Sequence, residues 1–174
     1  MAKILIASET LSDIPRTGYL LYGVSDPEKV SSHCYQVAVF VMLLGDHIDG
    51  LDVGKAMKMA LVHDLPEALT TDLPWIAKKF IDKDLAEAKA SDELFREFPE
   101  LRKLAQEYFD NQSLEARFVH DCDRLQLMTR DNRYKRFNRG DMEKFLIGDT
   151  GLKFDICRQV LDSFVKLDGN TFIK

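Results

Sequence analysis

Apolar residues recur three or four positions apart through most of this chain, and no tract alternates between apolar and polar as a half-buried strand would. That periodicity restricts the fold to helices packed on helices. In 31–48, Val37, Val41 and Leu44 form one stripe, with Ser31 or Ser32 available as the capping residue. In 54–69, Met57, Leu61 and Leu65 repeat at i, i+4 and i+8 behind a capping Asp52. Residues 82–98 and 100–110 read as two amphipathic helices split at Phe98-Pro99, because a residue before proline avoids the helical region. Ser113 caps a long helix running to about Phe137, with Phe118, Cys122, Leu125 and Met128 inward. A last helix covers 154–167, after a stretch punctuated by Gly140, Gly148 and Gly151. The expected fold class is all-α, a compact helical bundle, with residues 1–174 read as a single domain.

A chain of 174 residues can bury about 70 % of its unfolded surface. Its net charge of −5 argues against binding polymeric nucleic acid or an anionic membrane. No apolar run approaches the ~20 residues needed to span a bilayer, and the N-terminus lacks the apolar core of a signal peptide. Cys34, Cys122 and Cys157 are odd in number and widely spaced, so they read as reduced core thiols. The cytoplasm is the expected compartment.

The chemistry concentrates on His33, the adjacent His63-Asp64, and Asp123. Two imidazoles and two carboxylates suffice to hold one hard or borderline divalent cation. A His-Asp pair alone carries little weight: 4 His and 19 Asp among 174 residues give about 0.4 such pairs by chance. The chain has two, His63-Asp64 and His120-Asp121, and context separates them. The first has a histidine thirty residues upstream and acids, Glu67 and Asp72, close behind.

On a continuous helix His63 and Asp64 point about 100° apart and can share an ion between them, with Glu67 on the same face one turn on. His33, in the first turn of its helix, offers an exposed imidazole to a cleft at the bundle's end. Asp121 and Asp123 face nearly opposite sides, and the apolar neighbours Val119 and Cys122 favour Asp123 as the inward one. Blander readings stand beside these. His33 could be a surface histidine, Asp64 and Glu67 solvated acids, and Asp72 a cap for a helix starting near Pro74.

These residues fall within longer motifs: Pro-Arg-Thr-Gly-Tyr (15–19), Ser-Ser-His-Cys-Tyr-Gln-Val-Ala (31–38), Met-Ala-Leu-Val-His-Asp-Leu-Pro-Glu-Ala (59–68), Leu-Thr-Thr-Asp-Leu-Pro (69–74) and Glu-Ala-Arg-Phe-Val-His-Asp-Cys-Asp-Arg-Leu (115–125). Together they resemble the HD-domain phosphohydrolases, in particular their small dimeric 5′-deoxynucleotidase branch, over residues 15 to about 130. The resemblance implies an HD-domain bundle with His33, His63, Asp64 and Asp123 as metal ligands. It makes Arg16 a contact to the substrate phosphate and Glu67 and Asp72 the catalytic acids. It also implies a homodimer. Ser32 stands where the family usually has an acid, and Thr71 where it usually has glycine before Asp72.

The implied reaction is hydrolysis of a 2′-deoxyribonucleoside 5′-monophosphate. The cofactor is one divalent ion, for which the mixed N/O set suits Mn²⁺, Co²⁺, Fe²⁺, Zn²⁺ or Mg²⁺. The rival readings are an HD phosphohydrolase for another nucleotide (a dNTP, a cyclic nucleotide or a nucleotide-like metabolite) and a non-catalytic metal-stabilised binding module. Arg130, Arg133, Lys135, Arg136 and Arg139 read as a solvated helix end whose cations offset the helix dipole.

Overall fold

The computed structural model describes residues 1–145 and 150–167, and among these there are helices but no strand. In chain order they are α1 (Ala2–Thr10), α2 (Thr17–Leu20), α3 (Val30–Leu44), α4 (Val53–Val62), α5 (Glu67–Thr70), α6 (Lys83–Leu94), α7 (Pro99–Asp110), α8 (Leu114–Arg136) and α9 (Asp155–Lys166). The all-α class expected from the periodicity is the one found. Gly148 lies outside the described residues.

Helices α3, α4 and α8 pack on one another, and α9 closes against α8. Val37 and Val41 of α3, Met59 and Ala60 of α4, Phe118, Cys122 and Leu125 of α8 and Cys157 of α9 share one core. A second cluster joins Leu11 and Ile14 to Val30, Cys34, Leu94 and Phe95. In a third, the Tyr19 ring stacks on Phe145 at 4.8 Å and meets Tyr134 edge-on at 5.0 Å. All three cysteines are buried free thiols.

Several ends are set by the residues the sequence singles out. Asp52 accepts from the Lys55 amide at the start of α4, and the Ser113 hydroxyl from the Ala116 amide at the start of α8. Pro99 opens α7 in the first turn, where its missing N–H costs nothing.

Three expectations about these helices need correcting. Helix α3 begins at Val30 with no side-chain cap, so neither Ser31 nor Ser32 serves as one; the fully buried Val30 draws the first turn into the core. The helix expected over 54–69 stops at Val62, because the ring of Pro66 would meet the carbonyl four residues back and offers no N–H. The chain turns through 63–66 and resumes as α5. The stripe Met57, Leu61, Leu65 is consequently split: Leu65 is buried, Met57 half-buried and Leu61 exposed, while Ala56, Met59 and Ala60 make the inward face of α4. Helix α1 carries little amphipathic signal in the sequence, since it keeps Leu5 and Ile6 exposed and buries only Ala7.

The basic cluster at the end of α8 is solvent-exposed at Arg133, Arg136 and Arg139, as expected, but several of its cations are also engaged. Arg130 pairs with buried Glu28 at 2.7 Å, and Lys135 with Asp131 at 2.9 Å. Arg136 donates to the Phe164 and Val165 carbonyls in the last turn of α9, and Arg139 to the Asp26 carbonyl. These cations tie α8 to the segments around it.

Candidate metal centre

Three helices deliver four polar groups to one point. His33 projects from the first turn of α3, His63 and Asp64 from the turn that ends α4, and Asp123 from the middle of α8. His33, His63 and Asp64 each place a ligand atom within 4.8 Å of the other two. Asp123 adjoins this trio, its Oδ1 3.1 Å from His33 Nε2. Asp64 Oδ2 is the hub, 3.2 Å from His63 Nε2, 3.5 Å from His33 Nε2 and 3.3 Å from Arg16 Nη1.

The Nε2 atoms of both histidines are buried and lack an aligned hydrogen-bond partner. Such atoms are costly to bury. Their opposite nitrogens are engaged: His63 Nδ1 donates to the Ala60 carbonyl at 2.8 Å, and His33 Nδ1 to Gln126 Oε1 at 2.7 Å. Each ring therefore carries its proton on Nδ1 when neutral and turns the Nε2 lone pair toward the carboxylates. Two imidazole nitrogens and two carboxylates fit a divalent cation of the hard or borderline kind.

His33 is not the exposed imidazole expected; it is fully buried, because the first turn of α3 enters the core. His63 and Asp64 meet through a turn and not through a continuous helix. Glu67 lies in α5 and not one turn on from His63, yet it lines the same cavity as Asp64 and Asp72. Asp72 does not cap the helical turn after Pro74: its Oδ2 accepts from the amide and the hydroxyl of Thr17 at the start of α2, and its carbonyl also accepts from that hydroxyl at 2.7 Å. Between the two acids Thr71 has φ 61° and ψ 169°, a region that is essentially glycine's.

Burial shapes the charges of this cluster. It raises Glu67, and the neighbouring Asp64 and Asp72 carboxylates raise it further, to about 10. Glu67 Oε2 is also buried without a partner. Burial lowers His63, but the adjoining Asp64 carboxylate outweighs it and lifts the ring to about 9. Burial would raise Asp64 and Asp123, yet the surrounding cations win. His63, His33 and Arg16 hold Asp64 far below the ordinary carboxylate range, and His33 and His63 hold Asp123 at about 2. Arg16 stays charged, since the Asp64, Asp123 and Asp72 carboxylates outweigh its desolvation.

The second His-Asp pair does other work. His120 stacks on Tyr108 at 3.9 Å, and its Nε2 donates to the Tyr108 carbonyl at 2.9 Å. Asp121 is also sequestered, contrary to the expectation that only Asp123 would turn inward; its Oδ2 accepts from the Lys153 and Phe154 amides at 2.7 and 2.8 Å, ahead of α9. Sequence reasoning missed Thr17, Tyr108, whose hydroxyl donates to Asp123 Oδ2 at 3.3 Å, and Gln126. Only Gln126 left a signal, one helical turn after Asp123.

The cluster opens into a cavity of about 520 Å³, within the ~300–1,000 Å³ of small-molecule sites. Arg16, Glu67, Asp72 and Asp123 line it with Lys83 and Glu87, and Trp75, Phe109 and Phe145 contribute aromatic wall.

A family model described as "HD domain" matches residues 8–149. The human 5′-deoxynucleotidase HDDC2 is 34 % identical over 133 residues, which are 72 % of this chain and 63 % of that protein. The chain thus matches less than two thirds of that curated relative's length. A conserved hypothetical protein from Pyrococcus furiosus superposes with a TM-score of 0.84 at 31 % identity, over 96 % of this chain and 100 % of that one. A protein described as a "Predicted metal-dependent phosphohydrolase from Magnetospirillum magnetotacticum MS-1" gives 0.68 at 26 %, over 93 % and 89 %. With His33, His63-Asp64 and Asp123 gathered on this helical frame and the family match running across most of its length, the chain belongs to the HD-domain family.

Proposed function

We propose that this chain hydrolyses 2′-deoxyribonucleoside 5′-monophosphates to deoxynucleoside and inorganic phosphate, using one divalent ion held by His33, His63, Asp64 and Asp123. The observation that carries the reading is the pair of buried Nε2 atoms converging with two carboxylates beside Arg16 at an open cavity. The curated relative named as a 5′-deoxynucleotidase supports the substrate class.

A bound divalent ion supplies neutralisation of phosphate charge and acidification of water. Arg16 presents a planar, multi-donor cation to the phosphate oxygens. Asp72, braced by Thr17, orients the attacking water or the sugar. Glu67 moves the proton. Its raised affinity for a proton and its free Oε2 suit it to protonate the departing O5′ as the P–O5′ bond breaks. Water oxygen forms the new bond to phosphorus, and the proton it loses restores Glu67. The aromatic wall of Trp75, Phe109 and Phe145 suits stacking on any base, which supports weak base preference.

The described residues read as one domain, since Cys157 of α9 joins the same core as α3, α4 and α8. Exposed Leu5 and Ile6 on α1 and Tyr35, Met42 and Leu43 on α3 offer apolar surface that a second subunit of a C2 homodimer would cover. A reducing, cytoplasmic setting fits the free thiols. Among the described residues no helix is long and apolar enough to cross a membrane.

The test is phosphate release from a panel of mono-, di-, tri- and cyclic nucleotides across Mn²⁺, Co²⁺, Fe²⁺, Zn²⁺ and Mg²⁺. Release from deoxynucleoside monophosphates is expected. Turnover confined to triphosphates or cyclic nucleotides, or none at all, overturns the reading.

A further inference from the structure

We propose that Gln126 is a positioning residue for this centre. Its amide oxygen fixes the proton of His33 on Nδ1, and Glu28 decides which way round that amide sits. The inference rests on the reading of His33 as a ligand and adds to it the group that makes Nε2 the ligating atom.

Helix α8 grips the His33 ring from both sides. Asp123 lies 3.1 Å from Nε2, and Gln126, one turn on, receives Nδ1–H at 2.7 Å. His33 and Gln126 are both fully buried, so no water competes for these atoms. His63 is held differently, by the Ala60 carbonyl, an acceptor that cannot reverse its role. An amide can. Rotated by half a turn, Gln126 would offer N–H to Nδ1, push the ring proton onto Nε2 and remove the lone pair from the centre.

The structure contains a device against that rotation. Gln126 Nε2 donates to Glu28 at 2.9 Å to Oε2 and 3.2 Å to Oε1, and to Gln36 Oε1 at 3.2 Å. A reversed amide would set its oxygen against the buried Glu28 carboxylate, acceptor on acceptor. Glu28 is itself fixed: Arg130, one turn after Gln126 on α8, pairs with its Oε2 at 2.7 Å, and its amide donates to the Tyr134 hydroxyl at 2.8 Å. Orientation thus passes from Arg130 through Glu28 and Gln126 to His33. Partners behind a ligating histidine typically contribute 10–100-fold in metal affinity.

The experiment combines ¹⁵N NMR of the His33 ring in metal-free protein, at a pH where the ring is neutral, with Mn²⁺ affinity from chelator competition. His33→Ala identifies the resonances. In the wild-type protein the proton is expected on Nδ1. Gln126→Met, which keeps the volume, is expected to populate the Nε2–H form and weaken Mn²⁺ binding about 10–100-fold. Glu28→Gln is expected to shift both readouts in the same direction, and it stands in if Gln126→Met fails to fold. A wild-type proton on Nε2, or wild-type tautomer and Mn²⁺ affinity in a folded variant, overturns the proposal. Unchanged Mn²⁺ affinity in His33→Ala would instead overturn the assignment of His33 as a ligand.

Discussion

Asp123 and His33, ninety residues apart in the chain, meet with Oδ1 3.1 Å from Nε2, while the other Asp123 oxygen receives the Tyr108 hydroxyl. Asp121, two residues earlier on α8, is turned away to hold the Lys153 and Phe154 amides. The two aspartates should therefore fail differently. Asp123→Ala, like His63→Ala or Asp64→Ala, is expected to abolish tight divalent binding, whereas Asp121→Asn should keep the metal. Asp121→Asn should instead cost about 1–3 kcal/mol, because charged acceptors of buried amides are hard to replace. Metal content by mass spectrometry and thermal denaturation separate the two effects; equal metal loss from both positions contradicts the assignment.

Glu67 is proposed to handle the proton without binding the ion. Glu67→Gln preserves the shape and removes the titrating group, so kcat should fall by roughly two to four orders of magnitude. Metal content should persist. Loss of metal with this substitution would make Glu67 a ligand.

Thr71 offers a test of backbone strain beside the site. Its φ of 61° and ψ of 169° belong to glycine's territory, where other residues carry about 1–3 kcal/mol of strain. Glycine gives back roughly 0.5–1 kcal/mol through the entropy of the unfolded chain. Thr71→Gly is therefore expected to stabilise the protein by about 1 kcal/mol in denaturant titration. A destabilised variant would show that contacts of the Thr71 side chain outweigh the strain.

Much of this architecture was legible. Asp52, Ser113 and Pro99 mark real helix starts, and the inward face of α8 follows from Phe118, Cys122 and Leu125. Its neighbours set His63-Asp64 apart from His120-Asp121 in the sequence, and the structure gathers His33, His63 and Asp64 while His120 stacks on Tyr108. What periodicity could not convey was the break after Val62. Pro66 was visible, but the apolar repeat through Leu61 and Leu65 suggested continuity across it. The Thr17–Asp72 and His33–Gln126 contacts join residues 55 and 93 positions apart, and no local pattern encodes such pairings.

The metal-free protein should lose stability in mild alkali. His63 is raised from 6.5 to about 9 in the fold, so its stabilising contribution is complete below pH 6.5 and disappears as pH rises through 9. Glu67 acts in the same sense: its folded pKa is raised above the unfolded value, so the fold binds its proton more tightly, and that advantage fades as pH climbs toward 10. Thermal denaturation of chelator-treated protein should give a lower Tm at pH 9 than at pH 6.5. Divalent ion should reverse the loss, because binding needs the deprotonated ring that alkali provides. A Tm that rises with pH in the absence of metal would contradict this charge arrangement.

The central claim is tested most directly by initial rates of phosphate release from dAMP and AMP, using chelator-stripped protein before and after divalent ion is restored. No release is expected from the stripped protein, and recovery on adding metal. A site that rejects an added hydroxyl by packing typically discriminates about a hundredfold, so kcat/KM for dAMP should exceed that for AMP by about that order. Equal efficiencies would contradict the deoxynucleotidase assignment, and no release from either nucleotide with any of the five metals would contradict the hydrolase itself.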